Sequence, residues 1–209
     1  MNHRTERRTV AGPAGDLVCA IDTPAAQHGP ARGLALVCHP HPQFGGTLDN
    51  KVVATLARAF VQAGWRAARF NFRGVGGSAG VWDEGRGEID DAQAVLAALR
   101  RDAGEPVALA GFSFGAYVAS QLALTAAPAQ LILVGPATHN FPVAAVPAGT
   151  LVVHGEADEV VPLAATLDWA RPQHLPVVVV PGVGHFFHGQ LALLKSLVLR
   201  HLGAAPASP

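Results

Sequence analysis

Gly111-Phe112-Ser113-Phe114-Gly115 is the stretch on which the reading of this chain turns. It matches G-x-S-x-G and follows directly on the strand-like run Pro106-Val107-Ala108-Leu109-Ala110. Where a buried strand doubles back into a helix, the residue at the turn is strained, and a side chain two positions to either side would strike the returning backbone. Two glycines with a serine between them suit that turn. Ala116 to Leu124 is rich in small, helix-tolerant residues and Pro128 closes the segment, so a helix is expected next. A glycine turn that happens to hold a serine is the plainer alternative, and the flanking strand and helix argue against it.

A serine hydroxyl is a poor nucleophile near neutral pH, so such an elbow calls for a histidine base and a carboxylate to orient it, in the chain order Ser, Asp or Glu, His. The apolar run Thr150-Leu151-Val152-Val153 leads into His154-Gly155-Glu156-Ala157-Asp158-Glu159-Val160-Val161-Pro162. Asp158 is the expected acid, because a short carboxylate suits a fixed loop better than the longer Glu156 and Glu159. Glu159 could instead cap the helix expected near Leu163. The β-branched run Val177-Val178-Val179-Val180 then enters Pro181-Gly182-Val183-Gly184-His185, which places His185 on a glycine-flexed loop beyond a strand. His185 is the expected base and His188, at the start of the last helix, its rival. His154 and His174 read as packing or surface residues, and His3, His28 and His201 lie where nothing else signals chemistry.

Acyl transfer also needs two backbone N–H groups aimed at a developing oxyanion. Phe114, after the serine, offers one. The strand Gly33 to Cys38 runs into His39-Pro40-His41-Pro42-Gln43-Phe44-Gly45-Gly46. Pro40 and Pro42 have no N–H, which leaves His39, His41 and Gln43; His41 is preferred and Gln43 is second. A metal on His39 and His41 is not favoured, because the prolines fix the ring directions and no paired cysteines or helical His-Glu-x-x-His follow. No metal and no cofactor are expected.

Composition limits the field. The chain has 209 residues, half of them hydrophobic, and 15 basic against 15 acidic residues for a formal net charge of zero. That length buries one sizeable core and leaves no room for a second full domain. Without a Lys/Arg cluster, neither a nucleic acid nor an anionic membrane is expected as a partner; Arg4, Arg7 and Arg8 fit a solvated first strand. The polar N-terminus and the lack of a run of transmembrane length suggest a cytoplasmic protein. Cys19 and Cys38 sit in apolar runs and read as buried free thiols.

Along the chain, a hairpin is expected around Ala11 to Gly15, a helix over Val52 to Gly64, a strand over Trp65 to Phe72 and a helix over Glu88 to Arg101, with acids early and arginines late. Such alternation implies a mostly parallel sheet with helices on both faces. Only fourteen residues, 136–149, separate the strand at Leu131 to Val134 from the next. That leaves no space for a lid domain. Asp49-Asn50-Lys51 stands where a helix cap is expected, and less readily lines the acyl or alcohol pocket. Arg73 is expected to pair with Asp83, Glu84 or Glu88, and less readily with a substrate carboxylate. Phe44, Trp82, Phe112, Phe114, Phe141 and Phe186 could wall the nucleophile or belong to the core.

With these motifs in place, the chain resembles the α/β-hydrolases, in particular the small lidless bacterial serine hydrolases related in fold to dienelactone hydrolases. The resemblance covers about Thr9 to Leu202. Besides the elbow it rests on the His39 to Lys51 segment, on Arg69-Phe70-Asn71-Phe72-Arg73-Gly74-Val75-Gly76-Gly77-Ser78 and on His154 to Asp158. It implies an α/β-hydrolase fold without a lid domain, with residues 1–203 as a single domain with an N-terminal antiparallel hairpin; 204–209, by their composition, are expected to form a disordered tail. Dienelactone hydrolases use a cysteine where this chain has Ser113, so their substrate does not carry over. The expected function is a serine carboxylesterase that cleaves small acyl esters through an acyl-enzyme on Ser113, with Asp158 and His185 completing the triad and His41 and Phe114 holding the oxyanion. A thioesterase, amidase or acyltransferase could use the same residues, and a non-catalytic binding protein could use the same scaffold. The oligomeric state is left open.

Overall fold

The apolar runs of the sequence become the inner strands of one eight-stranded sheet. The computed structural model describes residues 4–25 and 29–203, so His3, His28 and the tail over 204–209 lie outside the described residues. β1 (Arg4–Gly12) and β2 (Gly15–Thr23) form the expected antiparallel hairpin. There follow β3 (Leu34–Cys38), β4 (Arg66–Phe70), β5 (Val107–Phe112), β6 (Gln130–Val134), β7 (Leu151–Gly155) and β8 (Val177–Val180). The strands lie in the order β1-β2-β4-β3-β5-β6-β7-β8. β2 meets β4 antiparallel, and every pairing from β4 to β8 is parallel.

Among the described residues five α-helices cover the sheet: α1 (Lys51–Gln62), α2 (Arg86–Leu99), α3 (Phe114–Ala126), α4 (Leu163–Ala170) and α5 (Leu191–His201). Strand side chains alternate between faces, and the core divides accordingly. Ala108, Ala110 and Phe112 of β5 pack with Leu56 and Phe60 of α1 and Val198 of α5. Val107 and Leu109 face Val95 and Leu99 of α2 and Val118 and Leu122 of α3.

α1 starts where expected because Asn50 caps it, its Oδ1 accepting the N–H of Val52 at 2.9 Å and of Val53 at 3.4 Å. α2 stops at Leu99, before the two arginines expected inside it. Arg100 is extended, and its guanidinium turns back to the carbonyls of Glu105 and Ala103, so it fastens a loop and does not complement the helix dipole.

Chain order and strand order diverge at β3. The chain leaves β3 to form β4 on one side and comes back to form β5 on the other. Loops beyond the carboxyl ends of strands separate at such a reversal and leave a crevice. The segment after β3 and the turn after β5 both open there. Between β6 and β7, residues 135–150 form neither helix nor strand, and no lid domain is inserted.

Arg73, beyond the end of β4, is tied to α2. Asp91, with no exposed side-chain surface, accepts from Arg73 Nη2 at 2.8 Å, Nε at 3.0 Å and the backbone N–H at 2.9 Å. The sequence pointed to Asp83, Glu84 or Glu88 as partners. Asp83 and Glu84 bind Arg86 instead, and Glu88 turns inward to accept the N–H groups of Gly85 and Asp83 at the start of α2. Removing one partner of a buried ion pair strands the other charge, at a cost of about 3–5 kcal/mol. Asp91→Ala should therefore lower the unfolding free energy in urea by about that much. A loss below about 1 kcal/mol would mean that Arg73 finds solvent at no cost.

Candidate functional site

Ser113 sits between β5 and α3 with φ 56° and ψ −119°, a conformation that non-glycine residues rarely adopt. The glycines around it are required by contact. A Cβ on Gly111 would lie 2.1 Å from the carbonyl oxygen of Gly115, and one on Gly115 would lie 2.2 Å from that of Cys38. The turn is pinned from β6, where the Ser113 N–H donates to Val134 at 2.9 Å and its carbonyl accepts from Ala137 at 3.3 Å. Among the described residues the Ser113 hydroxyl has no hydrogen-bond partner, and it is not one of the buried unpaired atoms.

The acid and the histidine arrive on the loops after β7 and β8. His185 Nδ1 lies 2.7 Å from Asp158 Oδ2. A carboxylate only accepts, so the imidazole proton is on Nδ1 and the Nε2 lone pair is free. Asp158 Oδ1 accepts the N–H groups of Val160 and Val161 at 2.9 and 2.7 Å. Burial pushes the Asp158 carboxyl up, but the hydrogen bond from His185 and those from Val161 and Val160 outweigh it and hold it below the usual carboxylate range. The competing acids are occupied elsewhere. Glu156 accepts the N–H of Gly182, and Glu159 that of His185 itself at 3.2 Å. Glu159 thus steadies the histidine loop and does not cap α4. His188 is exposed and makes no hydrogen bond among the described residues.

Ser113 and His185 line one cavity of about 370 Å³, together with His41, Phe44, Asn50 and Val160 among others. Ser113 Oγ and His185 Nε2 are not hydrogen bonded to each other among the described residues. Such contacts are often long before substrate binds and tighten afterwards.

His39 and His41 behave as different residues. The His39 ring is fully buried, with Nε2 accepting the N–H of Phe72 at 3.1 Å and Nδ1 donating to Pro40 at 2.6 Å. Burial depresses its pKa to about 4. Both nitrogens are used, so the ring fastens the loop to the end of β4 and has no lone pair left for a metal. His41 faces the cavity. Its Nδ1 accepts the N–H of Gln43 at 3.2 Å, which consumes the N–H that made Gln43 the second choice for the oxyanion. The N–H groups of His41 and Phe114 have no acceptor among the described residues.

Two aromatic groups flank the serine, one on each neighbour. Phe114 meets Trp82, Phe141, Tyr117 and His41 at centroid distances of 5.0–5.7 Å on the α2/α3 side. Phe112 meets His185 at 4.8 Å and Phe186 at 6.1 Å on the α1/α5 side. One participant was not legible. His154, read as packing, is fully buried with Nε2 3.0 Å from the Val161 carbonyl and 3.5 Å from Asp158 Oδ2. It closes the acid loop from behind. The signal was its place near the end of β7, four residues before Asp158, and spacing alone does not say which way a ring turns.

Comparisons with known proteins agree with the fold. The family described as serine aminopeptidase, S33 (Hydrolase_4) matches residues 30–148, a span that holds the elbow and ends before Asp158 and His185. XC6422 from Xanthomonas campestris, described as an α/β serine hydrolase without a lid, is 38% identical with a TM-score of 0.89, covering 100% of this chain and 99% of its own. An α/β serine hydrolase homologue from Coxiella burnetii is 39% identical with a TM-score of 0.82, covering 94% and 97%. An uncharacterised protein of Rickettsia prowazekii, RP471, is 46% identical over 99 residues, which is 46% of this chain. The chain spans 41% to 63% of the length of the curated relatives it matches. The family model spans more than half of the chain, and the chain belongs to the α/β serine hydrolases of the S33 family.

Proposed function

We propose that the protein is a serine carboxylesterase that cleaves small neutral acyl esters through an acyl-enzyme on Ser113. The observation that carries this is the 2.7 Å His185–Asp158 pair, whose histidine lines the same cavity as the strained serine. In the first half-reaction Ser113 Oγ bonds to the ester carbonyl carbon and its proton passes to His185 Nε2. The N–H groups of Phe114 and His41 receive the negative oxygen. Collapse breaks the bond to the alcohol, which leaves with the proton from His185. Water then repeats the sequence, with His185 as base, and releases the acid. Asp158 keeps the imidazole in the Nδ1–H tautomer and stabilises the imidazolium. A thioester, an amide or an acyl acceptor other than water would engage the same atoms.

The family description raises a peptide reading, and the cavity speaks against it. Removing the N-terminal residue of a peptide requires holding an α-ammonium, and a buried cation needs an anion beside it. No Asp or Glu lines the cavity among the described residues. Asp158 and Glu159, on the loop after β7, are committed to His185.

Ser113→Ala should abolish both ester turnover and labelling by a fluorophosphonate while the protein stays folded by circular dichroism. His185→Ala should lose about three orders of magnitude in kcat, against little change for His188→Ala. Labelling that survives the first change, or reversed effects of the second pair, would overturn the assignment.

Aminoacyl p-nitroanilides should be turned over far more slowly than p-nitrophenyl acetate, and faster anilide cleavage would favour the peptidase. Across p-nitrophenyl esters, kcat/KM should peak at short acyl chains. A buried methylene is worth roughly 0.8 kcal/mol, and an open cavity without a lid buries few of them. Specificity that keeps climbing through long chains, or a rate jump on emulsified triglyceride, would reveal an apolar chamber built by other loops.

A further inference from the structure

We propose that the site selects neutral esters bearing a flat aryl group with a hydrogen-bond acceptor on the ring, and that the side chain of His41 reads that acceptor. The inference rests on the esterase reading above and adds the substrate class to it.

The state of the His41 ring follows from one contact. The Gln43 N–H can only donate, so Nδ1 holds the lone pair and the proton is on Nε2. Nε2 has no partner among the described residues, and it is not one of the buried unpaired atoms. His41, which lines the cavity, therefore carries an N–H donor without a partner among the described residues. The donor is also fixed in place. Pro40 and Pro42 restrict the backbone on both sides, and Trp82, Phe44, Phe114 and Phe141 hold the ring at centroid distances of 4.5–5.8 Å.

The donor is neutral. Burial lowers the His41 pKa from the ordinary histidine value, and protonating Nδ1 would also break the bond from Gln43. No Arg, Lys, Asp or Glu lines the cavity among the described residues. Arg73, the cation once considered for a substrate carboxylate, is held on two nitrogens by Asp91. An ether, phenol or carbonyl oxygen suits this wall, and a carboxylate does not.

The rim supplies the flat surface. Phe44 is 84% exposed and Phe186 40% exposed, and both line the cavity with Ser113. Val160, 44% exposed, stands at the same opening. Open rings favour another ring over a saturated group of equal size by about two- to tenfold.

The test compares substrates with matched leaving groups: methyl phenylacetate with methyl cyclohexylacetate for the acyl side, and benzyl acetate with cyclohexylmethyl acetate for the alcohol side. Methyl phenylacetates methoxylated at ring positions 2, 3 or 4, and the correspondingly methoxylated benzyl acetates, probe the acceptor. In at least one pair kcat/KM should favour the aryl ester by about threefold or more, and one methoxy isomer on that side should gain a further several-fold. Phe44→Leu should bring the aryl-to-cyclohexyl ratio towards one. His41→Phe should keep that ratio and erase the methoxy gain. Ratios taken on one preparation cancel any general loss of activity, and the wild-type ratios decide the matter even if a variant fails to fold. Wild-type ratios near one, with fluorophosphonate labelling and ester turnover intact, would overturn this inference and leave the esterase reading standing. Loss of both labelling and turnover would overturn the two together. A His41→Phe protein that keeps the methoxy gain would show that another group reads the ring.

Discussion

The positive φ of Ser113 is the constraint on which the rest of the site depends. A non-glycine residue in so sparsely populated a conformation costs on the order of 1–3 kcal/mol and persists only where its surroundings over-determine it. Here β6 holds the residue through Val134 and Ala137, and the close passage of Gly115 over the Cys38 carbonyl ties α3 to the end of β3. The same passage sets the height of the loop that follows β3. His39 then bolts that loop to Phe72, and His41 is left facing the serine. Ser113, the N–H groups of Phe114 and His41 and the cavity wall are thereby placed by one turn of backbone.

Much of this was legible because it is encoded locally. Glycine spacing around Ser113 and apolar runs of strand length are properties of short segments, and the fold respects both. The choice of Asp158 over its two glutamate neighbours followed from side-chain length, and the structure places Asp158 against His185 while the glutamates reach backbone N–H groups. The lack of room for a lid between β6 and β7 could be read from loop length alone.

What could not be read depends on contacts between distant segments. Arg73 lies 18 positions from Asp91, and nothing in either stretch says that α2 will turn that acid, and not Glu88, towards it. Glu88 competed on charge, but its inward turn at Gly85 removed it. The opposite behaviour of His39 and His41 is a similar case, since alternating prolines restrict both residues and only the approach of Phe72 decides which ring is consumed. Gln43 was discarded as a donor by an imidazole nitrogen whose direction no periodicity reveals. His154 was passed over for the same reason.

β8 bears on a different property, the tendency of the chain to associate with itself. It lies at one end of the sheet, bonded among the described residues only to β7, and consists of four consecutive valines. An unpaired edge of β-branched residues is a template for strand addition by another chain, and such runs nucleate aggregates. Pro176 and Pro181 bracket the four valines, and proline cannot extend a ladder of hydrogen bonds. The edge is therefore too short to recruit a long partner strand. The segment that delivers His185 is protected at both ends from the fibrillar pairing that its own composition invites.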